Sequence, residues 1–233
     1  MKKRMTQPQD MTCGTPWKLI LMFAVPLILG NIFQELYTIV DTMVVGKKLG
    51  VNALAAVGAT GWVFMFNSML IQGFTQGFGI QIAKMVGEND TVKLKRAISN
   101  SIILSALLSI VLLLGMQLII NPAMHILRIP LNIRDISVTY LRVIFVGIPF
   151  SVAYNIFAVI LRSLGNSKTP LNAMVISTSS NIVLDILFVV GFQWGVIGAA
   201  VATIISQLLS AVYCFVILNK CDIFKANYIE FRL

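Results

Sequence analysis

A chain of 233 residues that is 58% apolar and 12% charged, with a mean hydropathy of +0.87, has about half the charge of an average soluble domain. That balance sets aside a soluble enzyme, a nucleic-acid binder and a disordered chain, and leaves an integral membrane protein. The net charge of +9 does not point to nucleic acid, because the basic residues are dispersed over short loops, where such an excess reports orientation in a bilayer.

A bilayer-crossing helix takes about 20 mostly apolar residues, and six stretches qualify. The first, 17–45, follows Lys2-Lys3-Arg4. Its apolar run starts too late and lasts too long for a signal peptide and has no small-residue cleavage site, so it reads as a retained span. Pro26 inside it predicts a bend. Gly46-Lys47-Lys48-Leu49-Gly50 separates it from the second span, 53–83, which Gly87-Glu88-Asn89-Asp90 and Lys93, Lys95 and Arg96 follow. The third, 95–120, gives way at Asn121-Pro122 to a loop through Arg134. The fourth, 137–162, carries Pro149 and a second predicted bend. Pro170 sits at the first turn of the fifth, 171–190, where proline is tolerated. A tight turn over 191–195 leads to the sixth, 196–218. Residues 1–16 and 219–233 are expected to be cytoplasmic tails, the second of them starting a linker.

Orientation follows from the basic residues. With the N-terminus inside, thirteen of the eighteen fall on cytoplasmic segments and five (Lys47, Lys48, Arg128, Arg134, Arg142) outside. This predicts a multi-pass protein of the cell membrane with both termini cytoplasmic.

Ionisable groups at membrane depth are costly and mark pathways or relays. Three carboxylates lie within spans: Glu35, Asp41 and Asp185. Asn31, Gln34, Thr38 and Asp41 share one side of the first helix, with Tyr37 adjoining, whereas Glu35 lies off that stripe and is expected to face helix two. Met174, Thr178, Asn181 and Asp185 make one stripe on the fifth, and Thr203 and Gln207 stand one turn apart on the sixth. Three polar stripes among apolar residues are unfavourable against lipid, so they are expected to converge within the bundle. Gly195-x-x-x-Ala199 and Gly198-x-x-x-Ala202 mark a small-residue packing face on the sixth helix.

Other chemistry is thinly represented. Cys13, Cys214 and Cys221 are odd in number and lack CxxC spacing, so they indicate neither a disulfide framework nor a zinc site. His125, the single histidine, reads as a solvated loop residue. There is no P-loop and no nucleophile–His–acid constellation, and the chain is not expected to be an enzyme. Arg142 is expected to snorkel outward, and Trp17, Trp62 and Trp194 to anchor at the interfaces.

Four motifs occur in order: Pro26 through Asp41 followed by Val44-Val45-Gly46; Gln76-Gly77-Phe78-Gly79 through Asp90; Leu161-Arg162-Ser163-Leu164-Gly165-Asn166 through Pro170; and Asn181-Ile182-Val183-Leu184-Asp185 followed by Gly195 through Thr203. Together they resemble the N-terminal half of a MATE (multidrug and toxic compound extrusion) transporter. The resemblance implies an all-α membrane lobe of six transmembrane helices, and a secondary transporter exporting organic cations against H+ or Na+. It implies a coupling-cation site at Asp41, Asn181, Asp185 and Thr203. It also implies a substrate chamber lined by Gln34, Tyr37, Met174 and Thr178. Exchange of ion for substrate is expected to move the helix bent at Pro26. No cofactor is implied beyond the coupling ion, and no metal beyond Na+ at that site. The expected partners are organic cations, the lipid bilayer and a second six-helix lobe, and nucleic acid is not among them.

The family has about twelve spans in two lobes, and six are found here. The chain is expected to be a fragment, a truncated product, or one of two chains that assemble. Two competing readings stand beside the exporter. A lipid-linked precursor flippase of the same superfamily would favour several Arg or Lys residues in the cavity, and this lobe has almost none at depth. A non-transporting six-span remnant or regulatory membrane partner is the reading from another class.

Overall fold

The computed structural model describes residues 15–88 and 90–221. The tails expected at 1–16 and 219–233, together with Cys13, fall wholly or mostly outside those residues. Every regular element among the described residues is helical. In chain order these are α1 (Pro16–Leu49), α2 (Val51–Gly87), α3 (Thr91–Ile126), α4 (Leu131–Val146), α5 (Ile148–Ser163), α6 (Lys168–Asp185) and α7 (Gly195–Asn219), with a π-helical segment, Ile186–Gly191, continuing α6. Among the described residues, five helical stretches are long and apolar enough to cross a bilayer: α1, α2, α3, α6 with its continuation, and α7. The pair α4 and α5, bent by 47°, makes a sixth when taken as one span.

Local chemistry sets the boundaries. A single residue, Gly50, separates α1 from α2 at φ +83°, a backbone state that side chains with a Cβ disfavour. The Asp90 side chain caps α3 by accepting from the backbone N–H groups of Val92 and Lys93 at 3.1 and 3.0 Å. That capping, with the Lys93 side chain alongside, holds the Asp90 carboxyl below its ordinary value of 3.8. α3 runs through Pro122 to Ile126, beyond the apolar run that ends at 120, and its 36 residues span about 54 Å, well past the hydrocarbon core of about 30 Å.

The bend between α4 and α5 falls where Pro149 stands as the second residue of α5, its ring and missing N–H preventing α4 from continuing unbroken. Gly147 at the bend lets α7 approach closely: a Cβ there would stand 2.6 Å from Ile204 Cγ1 and 3.0 Å from the Ile144 carbonyl. By contrast α1 is one uninterrupted helix around Pro26.

α7 is the hub, packing against α6 and α5, while α5 also packs on α2, α1 on α6, and α2 on α3 and α4. Lipid is as apolar as a side-chain interior, so close packing of small residues carries helix association. Accordingly, Gly198, Ala199, Ala200, Ala202, Thr203, Ser206, Ser210 and Ala211 form the buried side of α7. One buried cluster gathers Ile120, Met124, Leu141, Phe145 and Ile148. A second gathers Ile82, Leu94, Ile160, Leu161 and Leu218. A small third one, Val45, Ala53, Val189 and Ala199, packs one turn beyond Asp41. The outer surface is a belt of exposed apolar side chains such as Ile32, Leu107, Ile110 and Val212, as a lipid-facing protein requires.

Candidate functional site

The packing of α1 on α6, and of α6 on α7, brings the three polar stripes together. Gly30 makes the first contact possible: a Cβ there would lie 2.7 Å from Met174 Sδ. Farther along, the Thr178 hydroxyl donates to the Phe33 carbonyl at 3.4 Å, pinning α6 to α1. Three residues beyond Thr178, Asn181 donates from Nδ2 to Thr203 Oγ1 at 3.5 Å, and the Thr203 hydroxyl donates to the Ala199 carbonyl at 3.1 Å. Asp41 is 7% exposed and Asp185 0%, and their side chains face each other. α6 becomes π-helical immediately after Asp185, where the Phe192 N–H bonds the Leu187 carbonyl at 2.8 Å. Segments of this kind are enriched at functional sites. The Phe188 ring stacks on Trp194 at 5.0 Å and on Phe192 at 6.0 Å.

Four buried oxygens in this cluster, Asp41 Oδ1, Asn181 Oδ1 and both oxygens of Asp185, find no hydrogen-bond donor among the described residues. Two carboxyl groups bond each other only when a proton is shared between them; when both are ionised they repel. Buried charge needs a partner, and oxygens of carboxylate, amide and hydroxyl type suit a proton or a hard cation. Among the described residues no three His, Cys, Asp or Glu side chains group as a metal centre.

The residues named for the cation, Asp41, Asn181, Asp185 and Thr203, therefore lie together and buried. Those named for the chamber divide. Thr178 is buried and Met174 half-buried against α1, whereas Gln34 is exposed on the surface of the lobe together with Asn31 and Thr38. Tyr37 lies in α1, and its side chain falls outside the description. Pro26 is buried.

Glu35 does not face helix two: it is exposed on an outward patch of α1 formed with Ile28, Asn31, Ile32, Leu36 and Ile39. The 3.6-residue period gives an angle around α1, and α2 covers a different sector of that helix than expected. His125 is exposed, as expected, but it stands in the last turn of α3 and not in a loop, with its Nε2 2.6 Å from the Arg134 guanidinium. Buried polar rows also lie outside the three stripes, one of Ser101, Ser105 and Ser109 on α3 and one on α2. Thr60, Asn67 and Thr75 on α2 are buried, and their spacings of seven and eight residues mark one helix face that periodicity could have found.

A bundle of membrane-length helices with two facing carboxyl groups buried in it is the body of a multi-pass membrane protein with an ionisable centre at depth. Residues 26–187 match the MatE family model, and the chain belongs to the MatE family, whose members are transporters rather than enzymes. It is 30% identical over 208 residues to the probable multidrug resistance protein YoeA of Bacillus subtilis (strain 168), covering 88% of this chain and 45% of that one. A solved MATE in the bent conformation superposes with a TM-score of 0.81 at 31% identity, over 86% of this chain and 45% of that one. One in the straight conformation gives 0.81 at 30% identity, over 94% and 48%. The chain spans about half the length of the curated relatives it matches.

Proposed function

We propose that this lobe is half of a secondary active multidrug exporter that carries organic cations out of the cell in exchange for H+ or Na+ taken up between Asp41 and Asp185. The observation that carries this reading is the pair of facing, buried carboxyl groups set among donor-less oxygens. Asn181 and Thr203 complete the oxygen set for the ion. Gln34, Tyr37, Met174 and Thr178 form the wall against which an organic cation rests, and the second wall belongs to another six-helix lobe, from the rest of a longer chain or from a second chain. The lobe sits in the cell membrane with both termini cytoplasmic.

Exchange follows from electrostatics. Ion and organic cation seek the same negative charge, so loading one disfavours the other, and each biases the lobe toward a different arrangement. α1, straight or bent at Pro26 according to which cation is loaded, is the part that moves. Solved relatives described as bent and straight support two arrangements for this fold, and the shallow burial of α1 supports placing the motion there.

The test uses the native protein in proteoliposomes, with efflux of a fluorescent organic cation driven by an imposed H+ or Na+ gradient. Asp41→Asn and Asp185→Asn are each expected to abolish the response to the gradient while leaving a folded protein. Undiminished gradient-driven efflux in a folded Asp41→Asn variant sinks the proposal. Intact mass of the native product under denaturing conditions separates the sources of the second lobe: about twice 25.6 kDa places it in the same chain, and 25.6 kDa places it in another.

A further inference from the structure

Thr203 has a second set of neighbours besides Asn181. Together with Asn67 of α2, Ser151 of α5 and Gln207 of α7, it lines a small cavity beside Gly147 at the α4–α5 bend, with room for about one water molecule. Asn67 is 4% exposed and its Oδ1 has no donor. Ser151 bonds the Gln207 carboxamide oxygen, which leaves the Gln207 amide N–H groups to donate elsewhere. The Ser151 hydroxyl also reaches the Gly147 carbonyl at 3.4 Å.

We propose that this cavity is a binding site for a single water, held by Asn67 of α2 and Gln207 of α7, that joins these two helices beside the bend between α4 and α5. A water suits the lining and other occupants do not. It donates to Asn67 Oδ1 and accepts from the Gln207 amide, which satisfies both groups at once. A metal cation would enter a lining that carries no carboxylate and would stay uncompensated, and an organic molecule is too large. With the water in place, hydrogen bonds run from Asn67 through the water and Gln207 to the Ser151 hydroxyl, so that α2, α7 and α5 are joined beside the bend. The hydration does not depend on the function proposed above.

X-ray radiolysis of the native protein in lipid nanodiscs, with mass-spectrometric mapping of hydroxylation, tests the site. Radicals formed from a trapped water label the side chains around it even where bulk water does not reach. Ile144 and Ile148, both buried, are expected to be labelled, while lipid-facing Ile110 is not. Asn67→Leu and Gln207→Met, made on different helices so that one survives if the other misfolds, are each expected to lower labelling about tenfold, the occupancy change that one lost hydrogen bond produces. Asn67→Ser retains it. Unlabelled Ile144 and Ile148 in the wild type, or labelling that persists in both variants, overturns the site. Asp41→Asn is expected to leave the labelling intact, so a failed transport reading and a failed hydration site give different results.

Discussion

α1 and α7 are both apolar helices that bring polar residues to the same site, yet they are held in opposite ways. Only 12% of the most apolar stretch of α1 is buried inside the lobe, against 39% for α7. α7 meets its neighbours through a face of Gly, Ala, Ser and Thr. α1 leans chiefly on α6, at Gly30 against Met174 and at Phe33 against Thr178. In lipid, where apolar surface gains nothing by leaving its surroundings, a helix with few close contacts is weakly fixed. The contrast teaches that this lobe is a rigid centre, α5 and α7, carrying one lightly attached helix that holds half of the carboxylate pair.

The contrast is broken most directly by truncating each side of it. Phe145→Ala, in the fully buried cluster beside the α4–α5 bend, is expected to cost about 3 kcal/mol in denaturant unfolding in detergent, the lower end of the range for Phe→Ala because the cavity remains while the water-transfer gain is absent. Ile20→Ala on the exposed face of α1 should stay within about 0.5 kcal/mol; equal losses would erase the distinction. Next in size, Gly30→Val should cost about 1–3 kcal/mol and raise the accessibility of α1 to cysteine labelling, because its Cβ meets Met174. Gly61→Ala, where a Cβ meets nothing within 4 Å, is the control that should lose no stability and gain up to about 1 kcal/mol from helix propensity.

Thr178→Val removes the bond to the Phe33 carbonyl and should cost about 1 kcal/mol. Its sharper readout is amide exchange, which should quicken in α1 and stay unchanged in α7. The smallest effect is one of pH at the start of α3. Because capping lowers the Asp90 carboxyl below 3.8, its contribution is complete above that value and disappears as pH falls through the lowered one. Exchange at the first amides of α3 should therefore quicken only in acid, and Asp90→Asn, which keeps a capping oxygen, should remove that pH dependence.

Much of this plan is legible in the residues. Long apolar runs, punctuated by Gly, Pro and charge, mark the spans, and the Pro149 bend follows from the missing N–H. The stripes on α1, α6 and α7 are visible as angles. Depth is not: Gln34 and Asp41 share a stripe, yet one is exposed and the other buried, because periodicity gives a direction and not what stands opposite. Glu35 went astray for the same reason. The π-helical turn after Asp185 leaves no trace in Ile-Leu-Phe-Val-Val-Gly, whose residues would sit equally well in an α-helix. Asn67 was passed over because a lone amide in an apolar span gains meaning only beside Gln207 and Thr203 from another helix.

That π-helical turn has a further consequence for how the chain tolerates length changes. Ile186–Gly191 holds one more residue than an α-helix would use over the same rise, so the segment stores a spare residue next to Asp185. Deleting one residue there should be absorbed by reversion to α-helical winding, leaving α7 seated and only the angle of the Phe188 ring altered. An identical deletion in α7 would turn its small-residue face by about 100° away from α6. Scanning single-residue deletions for folded protein across 186–219 should thus find tolerance confined to the few positions just past Asp185.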